Sequence, residues 1–356
     1  MHSFVYDQLP GRVVFGAGRL AELKTELDRL GCARALVLCT PEQRATADAV
    51  AALLGDAAAG VHDGAVMHTP VETVQAARAL AAELSADAYV AVGGGTTIGL
   101  GKGIALETGR PVIAVPTTYS GSEMTPIIGL TEGGVKRTLR DMKVLPRMVI
   151  YDPDLTASLP PAIAGPSGMN AIAHSVEALY AENANPISSL MAEEGIRALA
   201  AALPRVTGGA ADAQARAEAF YGSWLCGAVL GCVGMALHHK LCHTLGGSFN
   251  LPHAETHTVI LPHAAAYNTA AAPGAMARVA RALGRERAED AAPALFDLAR
   301  AVGAPTSLAA LGMPADGLAR AAALAVQNPY YNPAPVTEAG IAGLLDAAYH
   351  GLRPGR

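Results

Sequence analysis

The sequence predicts an α/β domain built on a parallel sheet over residues 1–155, followed by an all-α helical domain over residues 156–356. Three observations carry this prediction. Short apolar runs alternate with amphipathic ones through the first half of the chain. Three consecutive glycines follow one of those apolar runs and open a helical one. After Asp154 no further β-rich run appears, and long Ala- and Leu-rich segments take over. A length of 356 residues suits two domains.

The elements follow in order. Val13-Val14-Phe15 is a strand closed by Gly16-Ala17-Gly18, and an amphipathic helix from Arg19 to Leu30 ends at Gly31. Ala35 to Leu38 is the next strand, followed by a helix beginning near Pro41 and another from Val71 to Leu84. Tyr89 to Val92 is a strand that runs into Gly93-Gly94-Gly95-Thr96-Thr97 and a helix to Thr108. Val112 to Val115 ends at Pro116, and Met148 to Tyr151 ends at Asp152. Strands separated by helices are βαβ units, which make parallel sheets. Proline punctuates the chain from Pro153 to Pro161, where the domain boundary falls. Helices are then expected at Ser167–Ala181, Pro186–Leu203, Ala211–Leu245, Ala275–Leu283, Ala288–Val302, Asp316–Val326 and Thr337–Leu352. No internal repeat is visible.

Composition excludes several functions. Apolar residues make up 51% and charged residues 16%, which rules out disorder as the dominant state. The net charge of −5 leaves no basic surplus for phosphates, so no nucleic-acid partner is expected. The most apolar stretch, Trp224 to Leu237, is too short for a bilayer, and the first residues lack a signal-peptide pattern. The expected location is the cytoplasm, with no membrane partner. Cys32, Cys39, Cys226, Cys232 and Cys242 form no CxxC pair and lie in apolar runs, as reduced core thiols do. Cys242, beside His243, is read as a small core residue rather than a catalytic thiol.

Two loops suit a dinucleotide. Glycines let a phosphate approach the backbone, and the first N–H groups of a helix have no internal partners and carry the positive end of its dipole. Gly93 to Thr97 has this form, although it is neither GxGxxG nor a P-loop. Pro116 to Thr125, rich in hydroxyls, follows another strand. Ligands of open α/β sheets bind at such carboxyl ends, which makes the first domain Rossmann-like.

Six of the eleven histidines fall between residues 238 and 263. His239 and His243 are spaced i, i+4, as are Asn170 and His174 upstream, so each pair shares a helix face. Three imidazoles and one oxygen ligand suit zinc or iron. Here the oxygen belongs to the neutral amide of Asn170, a poor substitute for a carboxylate. No catalytic metal is therefore expected, and the pocket suits an anionic substrate, with histidine as donor and acid.

These residues resemble the iron-containing alcohol dehydrogenase superfamily over nearly the whole chain. The segments that carry the resemblance are Phe4-Val5-Tyr6, Arg12 to Gly16, His68 to Glu72, Gly93 to Lys102, Pro116 to Pro126, Gly168 to His174 and Ala236 to Pro262. The resemblance implies the dehydroquinate synthase-like, iron-containing alcohol dehydrogenase fold, with the site in the cleft between its domains. It implies that Gly93, Gly94, Gly95, Thr96 and Thr97 hold the cofactor pyrophosphate, that Thr117, Thr118 and Thr125 line the cofactor, and that Lys136 approaches it. Ligands of the metal-dependent members match Asn170, His174, His239 and His253, with His243 near the nicotinamide. Asn170 replaces their Asp, and Gly99 stands where many have Asp. Thr40 replaces an Asp of many NAD-specific members, which leaves NADH preferred and NADPH open.

Asn170 is expected of the branch that reduces maleylacetate. The implied reaction is NADH-dependent reduction of the C=C bond of this small dicarboxylate to 3-oxoadipate, with chlorinated analogues accepted, in the degradation of aromatic compounds. His243 and His253 are expected near the reacting centre, and His174, His239 and Asn170 as binding donors. Lys136, His238 and Lys240 are further candidates for the carboxylates, with Lys240 favoured on a solvated face. The alternatives are a metal-dependent alcohol or polyol dehydrogenase of the same superfamily and, outside enzymes, a cofactor-binding sensor. The superfamily also implies a homodimer.

Overall fold

A computed structural model describes residues 4–133, 135–209 and 212–355, apart from the side chains of Val135 and Lys136. The chain divides into two compact units. One is Leu9–Leu159, and the other joins Pro160–Arg356 to the residues before Leu9. The division falls a few residues beyond the boundary read from the sequence. Asp152 explains the difference: its carboxylate accepts the Gly18 and Leu20 N–H groups at 3.1 and 2.9 Å, which ties this stretch to the α/β unit.

The strands are β1 Arg12–Phe15, β2 Ala35–Leu38, β3 Ala58–His62, β4 Ala88–Gly93, β5 Val112–Pro116, β6 Ile127–Glu132, β7 Val135–Arg140 and β8 Met148–Tyr151. Six form one parallel sheet in the order β1-β8-β5-β4-β2-β3. Strands β2, β4, β5 and β8 are buried at every position, as central strands covered on both faces must be. Helices α1 Leu23–Arg29, α2 Arg44–Leu54, α3 Val71–Glu83 and α4 Gly95–Thr108 connect them. From β2 the chain steps outward to β3, then returns to β4 on the other side of β2. That reversal parts the loops after β2 and β4, where α/β proteins bind ligands.

Three strands were not expected from the sequence. Strand β3, Ala-Ala-Gly-Val-His, lies at the sheet edge, is half-buried throughout, and has neither apolar alternation nor a continuous apolar run. Strands β6 and β7 form a separate antiparallel hairpin whose polar residues hid it.

The helical unit contains α5 Pro161–Ala178, α6 Pro186–Thr207, α7 Ala213–Cys232, α8 Leu237–Phe249, α9 His253–Asn268, α10 Pro273–Ala282, α11 Ala291–Ala301, α12 Gly317–Ala325 and α13 Glu338–His350. Asn185 caps α6 in a reciprocal capping box with Ser188. Helix α5 is its axis, buried without interruption from Ala164 to Ala178. The single helix expected over Ala211–Leu245 is two, α7 and α8, which meet at 94°. Side chains from elsewhere satisfy the break. Asn183 Oδ1 accepts the Gly234 N–H at 2.9 Å, and Glu177 accepts the N–H groups of Ala236 and His238 at 2.9 and 2.6 Å. Among the described residues no single helix is long and apolar enough to cross a membrane.

Candidate active site

In the α/β unit, β4 delivers the chain to Gly93, and Gly94 precedes α4 with no side-chain cap on its open N–H groups. Space explains the glycines. A Cβ at Gly93 would lie 2.5 Å from Gln43 Oε1, and one at Gly94 would lie 2.9 Å from Thr118 Oγ1. Gln43 Nε2 donates to Thr117 Oγ1 at 2.6 Å, which links the loop after β2 to the one after β5. The Thr117 N–H in turn donates to Gly93 O at 3.2 Å. Gly95 is exposed, Thr96 and Thr118 are half-buried, and Thr97 is buried with an unpartnered Oγ1. Open helix N–H groups, hydroxyls and a backbone free of side chains fit the pyrophosphate of a dinucleotide. At Gly99 a Cβ would lie 2.6 Å from Thr69 Oγ1, so Thr69 fills the space an Asp would need there.

Thr125 departs from expectation. It is buried, donates to Ser122 O at 3.1 Å and accepts from Lys102 Nζ at 3.0 Å, so its hydroxyl is spent inside the loop. Lys102 also donates to the carbonyls of Ser122 and Ile127 at 2.6 and 2.9 Å. Burial pushes its pKa down to about 7 against the pull of Glu123. Lys102, unremarked in the sequence, is thus the pin of the hydroxyl-rich loop. The Lys136 side chain lies outside the described residues.

In the helical unit, α5 carries Asn170, His174 and Glu177 at i, i+4 and i+7, one face of a helix. Helix α8 brings His238, His239 and His243, and α9 brings His253 and His257. The rings converge: His174 lies 5.2 Å from His239, His239 lies 4.8 Å from His257 and 6.1 Å from His243, and His253 lies 4.3 Å from His257. All four expected histidines thus gather here, and Asn170 sits one turn before His174. Asn170, His174, His239 and His257 are buried, His243 is half-buried and His253 is exposed.

Glu177, His257 and Tyr330 are the members that sequence reasoning missed. Glu177 Oε2 lies 2.6 Å from His239 Nδ1. With two backbone N–H groups also donating to it, Glu177 acts as an acceptor, so the Nδ1 proton belongs to His239. His239 Nε2 then faces the cluster without a partner, as do Asn170 Oδ1, His174 Nδ1 and His257 Nε2. Burial, reinforced by neighbouring imidazoles, drives the pKa values of His174, His238 and His257 well below the ordinary histidine range. Tyr330 OH lies 3.2 Å from His243 Nδ1. The Cys242 thiol is buried, and burial pushes its pKa well up, as for a core residue.

The donor set lacks the carboxylate that the metal-dependent members carry. Among the described residues, the His, Cys, Asp and Glu ligand atoms that lie within 4.8 Å of one another belong to His238, His239 and His257. Two of these are committed to each other, with His238 Nε2 2.9 Å from His257 Nδ1, so a proton occupies that line. The positions expected from the resemblance supply imidazoles and an amide oxygen. Glu177, the neighbouring carboxylate, is consumed by His239 and the α8 backbone. The cluster therefore offers a cation neutral ligands only.

The parallel sheet with its glycine loop and the helical unit with its histidine cluster define the class. The iron-containing alcohol dehydrogenase family matches residues 10–153, and its C-terminal counterpart matches residues 165–349. The chain belongs to this family. Maleylacetate reductase of Burkholderia cepacia is 58% identical over 99% of this chain and 100% of its own. That of Sphingobium indicum is 59% identical over 99% of each. The crystal structure of maleylacetate reductase from Agrobacterium tumefaciens superposes with a TM-score of 0.95 at 54% identity, covering 99% of this chain and all of that one.

Proposed function

We infer that this chain reduces the carbon–carbon double bond of maleylacetate to give 3-oxoadipate, with NADH as reductant and no catalytic metal. One observation carries the reading. Asn170 Oδ1, His174 Nδ1 and His239 Nε2 are buried without partners, the His174 and His239 rings lie 5.2 Å apart, and the neighbouring Glu177 carboxylate is spent on His239 and the α8 backbone. Buried polar atoms without partners require a polar ligand, and the Asn170 amide NH2 and a neutral imidazole N–H can donate to a carbonyl or carboxylate oxygen. Full-length relatives named for maleylacetate support the substrate.

Gly93, Gly94, Gly95, Thr96, Thr97, Thr117 and Thr118 hold the dinucleotide, and the reduced nicotinamide, when bound, supplies a hydride. The alkene carbon β to the ketone accepts it, and the π electrons move through the conjugated system onto the ketone oxygen as an enolate. Imidazole N–H groups stabilise that oxygen as hydrogen-bond donors. A proton then adds at the α carbon, which restores the ketone. His243 and His253 serve at the reacting centre, Asn170 and His174 hold carboxylate or carbonyl, and His239, expected as a donor, presents Nε2 as an acceptor because its Nδ1–H donates to Glu177. Their low pKa values keep His174, His238 and His257 neutral with one N–H each, and one of the two N–H groups of His238 and His257 is spent on their mutual hydrogen bond.

Five free cysteines support a reducing compartment, the cytoplasm. Homodimer formation and turnover of chlorinated analogues extend the same proposal. The test is NADH consumption with freshly generated maleylacetate, with the product identified by chromatography. 3-Oxoadipate formed in step with NADH loss supports the reading. Turnover of alcohols or aldehydes alone overturns it in favour of an alcohol dehydrogenase.

A further inference from the structure

A polar depression of about 290 Å³ lies within the helical unit beside the histidine cluster. Lys240, His243 and Thr244, at i, i+3 and i+4, turn one face of α8 into it. The opposite wall is the segment after α12, with Gln327, Asn328 and Tyr330. That wall is built rather than loose. Asn328 adopts the left-handed conformation, φ +49°, which turns the segment back. Reciprocal amide hydrogen bonds between Asn268 and Asn332, at 3.0 and 2.8 Å, fasten it to α9, as does the Tyr267 hydroxyl on Pro335 O at 2.6 Å.

The charge of this depression is unbalanced. No acidic side chain lines it, and among the described residues Lys240 enters no ion pair. Its ammonium lies 5.9 Å from the centre of the Tyr330 ring, and the Tyr330 hydroxyl reaches His243 Nδ1. Lys240, expected on a solvated face, is half-buried. His243 belongs to both places, because its ring is 6.1 Å from His239.

We propose that Lys240, with the Tyr330 hydroxyl and the amides of Gln327 and Asn328, receives one carboxylate of the dicarboxylate substrate and sets the preference for dianions over monoanions. A compact ammonium beside neutral donors suits a carboxylate. The proposal rests on the reading of the substrate as the maleylacetate dianion.

The test compares wild type, Lys240→Met, Lys240→Arg and Tyr330→Phe on maleylacetate and on its two methyl half-esters. Lys240→Met raises KM for maleylacetate roughly ten- to a hundredfold, the worth of a charge-assisted hydrogen bond, while kcat and KM for NADH change little. Lys240→Arg recovers part of the loss, and Tyr330→Phe shows a smaller rise in KM. On the half-ester lacking the carboxylate that Lys240 holds, wild type is already weakened and Lys240→Met adds nothing further. An unchanged KM for maleylacetate in Lys240→Met, or an equal penalty on both half-esters, overturns the proposal. Wild type inert toward maleylacetate overturns the reading of the reaction, and this proposal with it.

Discussion

Glu177 holds His239 by its Nδ1 at 2.6 Å and, with the same carboxylate, closes the break between α7 and α8. One buried side chain thereby fixes both the tautomer of a cluster histidine and the start of the helix that carries it. Glu177→Gln keeps the shape but cannot accept all three donors. It should lower stability by about 1–3 kcal/mol, the cost of leaving a buried donor unpaired. Turnover should fall as well, because His239 loses its fixed proton position. Urea unfolding and steady-state kinetics check the pair. A fully stable, fully active variant would remove Glu177 from this role.

His253 stands exposed at the start of α9, with its ring 4.3 Å from His257. His253→Ala should cut kcat by roughly 100-fold or more, the scale of a lost general acid. Affinity for NADH, measured by fluorescence titration, should stay near wild type. An unchanged kcat would take His253 out of the reacting centre.

His263 tests the electrostatics away from the cluster. It is buried beside Phe296, and burial lowers its pKa from 6.5 to about 4. Between those values the unfolded chain binds a proton that the folded chain refuses. Stability is therefore lost as pH falls from about 6.5 through about 4, at up to roughly 1.4 kcal/mol per pH unit for this group. His174, His238 and His257 shift in the same direction and steepen the loss. His263→Gln should flatten the stability profile over that window by the contribution of one group. An equal slope in both proteins would contradict a neutral buried His263.

Asn170 offers the reverse experiment. Asn170→Asp places a carboxylate beside three imidazoles, the donor set of a metal site. The variant should retain zinc or ferrous iron through dialysis, as elemental analysis would detect. A variant that retains no more metal than the parent would show that something other than the missing charge decides metal binding.

Much of this was legible in the sequence where local pattern and structure agree. The glycine loop stands out because a continuous apolar run ends in Gly93 and resumes as a helix. The pairs Asn170–His174 and His239–His243 lie on helix faces because i, i+4 spacing is a property of the helix itself. Glu177 continued the first of those faces at i+7 and could have been read there, but its partners come from a helix some sixty residues away. The same distance hid the α7–α8 break, since the apolar run continues through it and only Asn183 and Glu177 make the open N–H groups tolerable. Tyr330 meets His243 across 87 residues, from a segment without regular structure, so no periodicity announces it. Thr125 looked like one more hydroxyl of the cofactor loop, and only the buried Lys102 reveals its other use.

The most direct measurement is the rate of NADH oxidation with maleylacetate before and after exhaustive chelation, with metal content determined on the same samples. A reaction run by imidazoles alone predicts the same rate in protein stripped of metal. Activity lost on chelation and restored by zinc or ferrous iron would contradict it, and would mean that Asn170 and the histidines bind a cation despite the missing carboxylate.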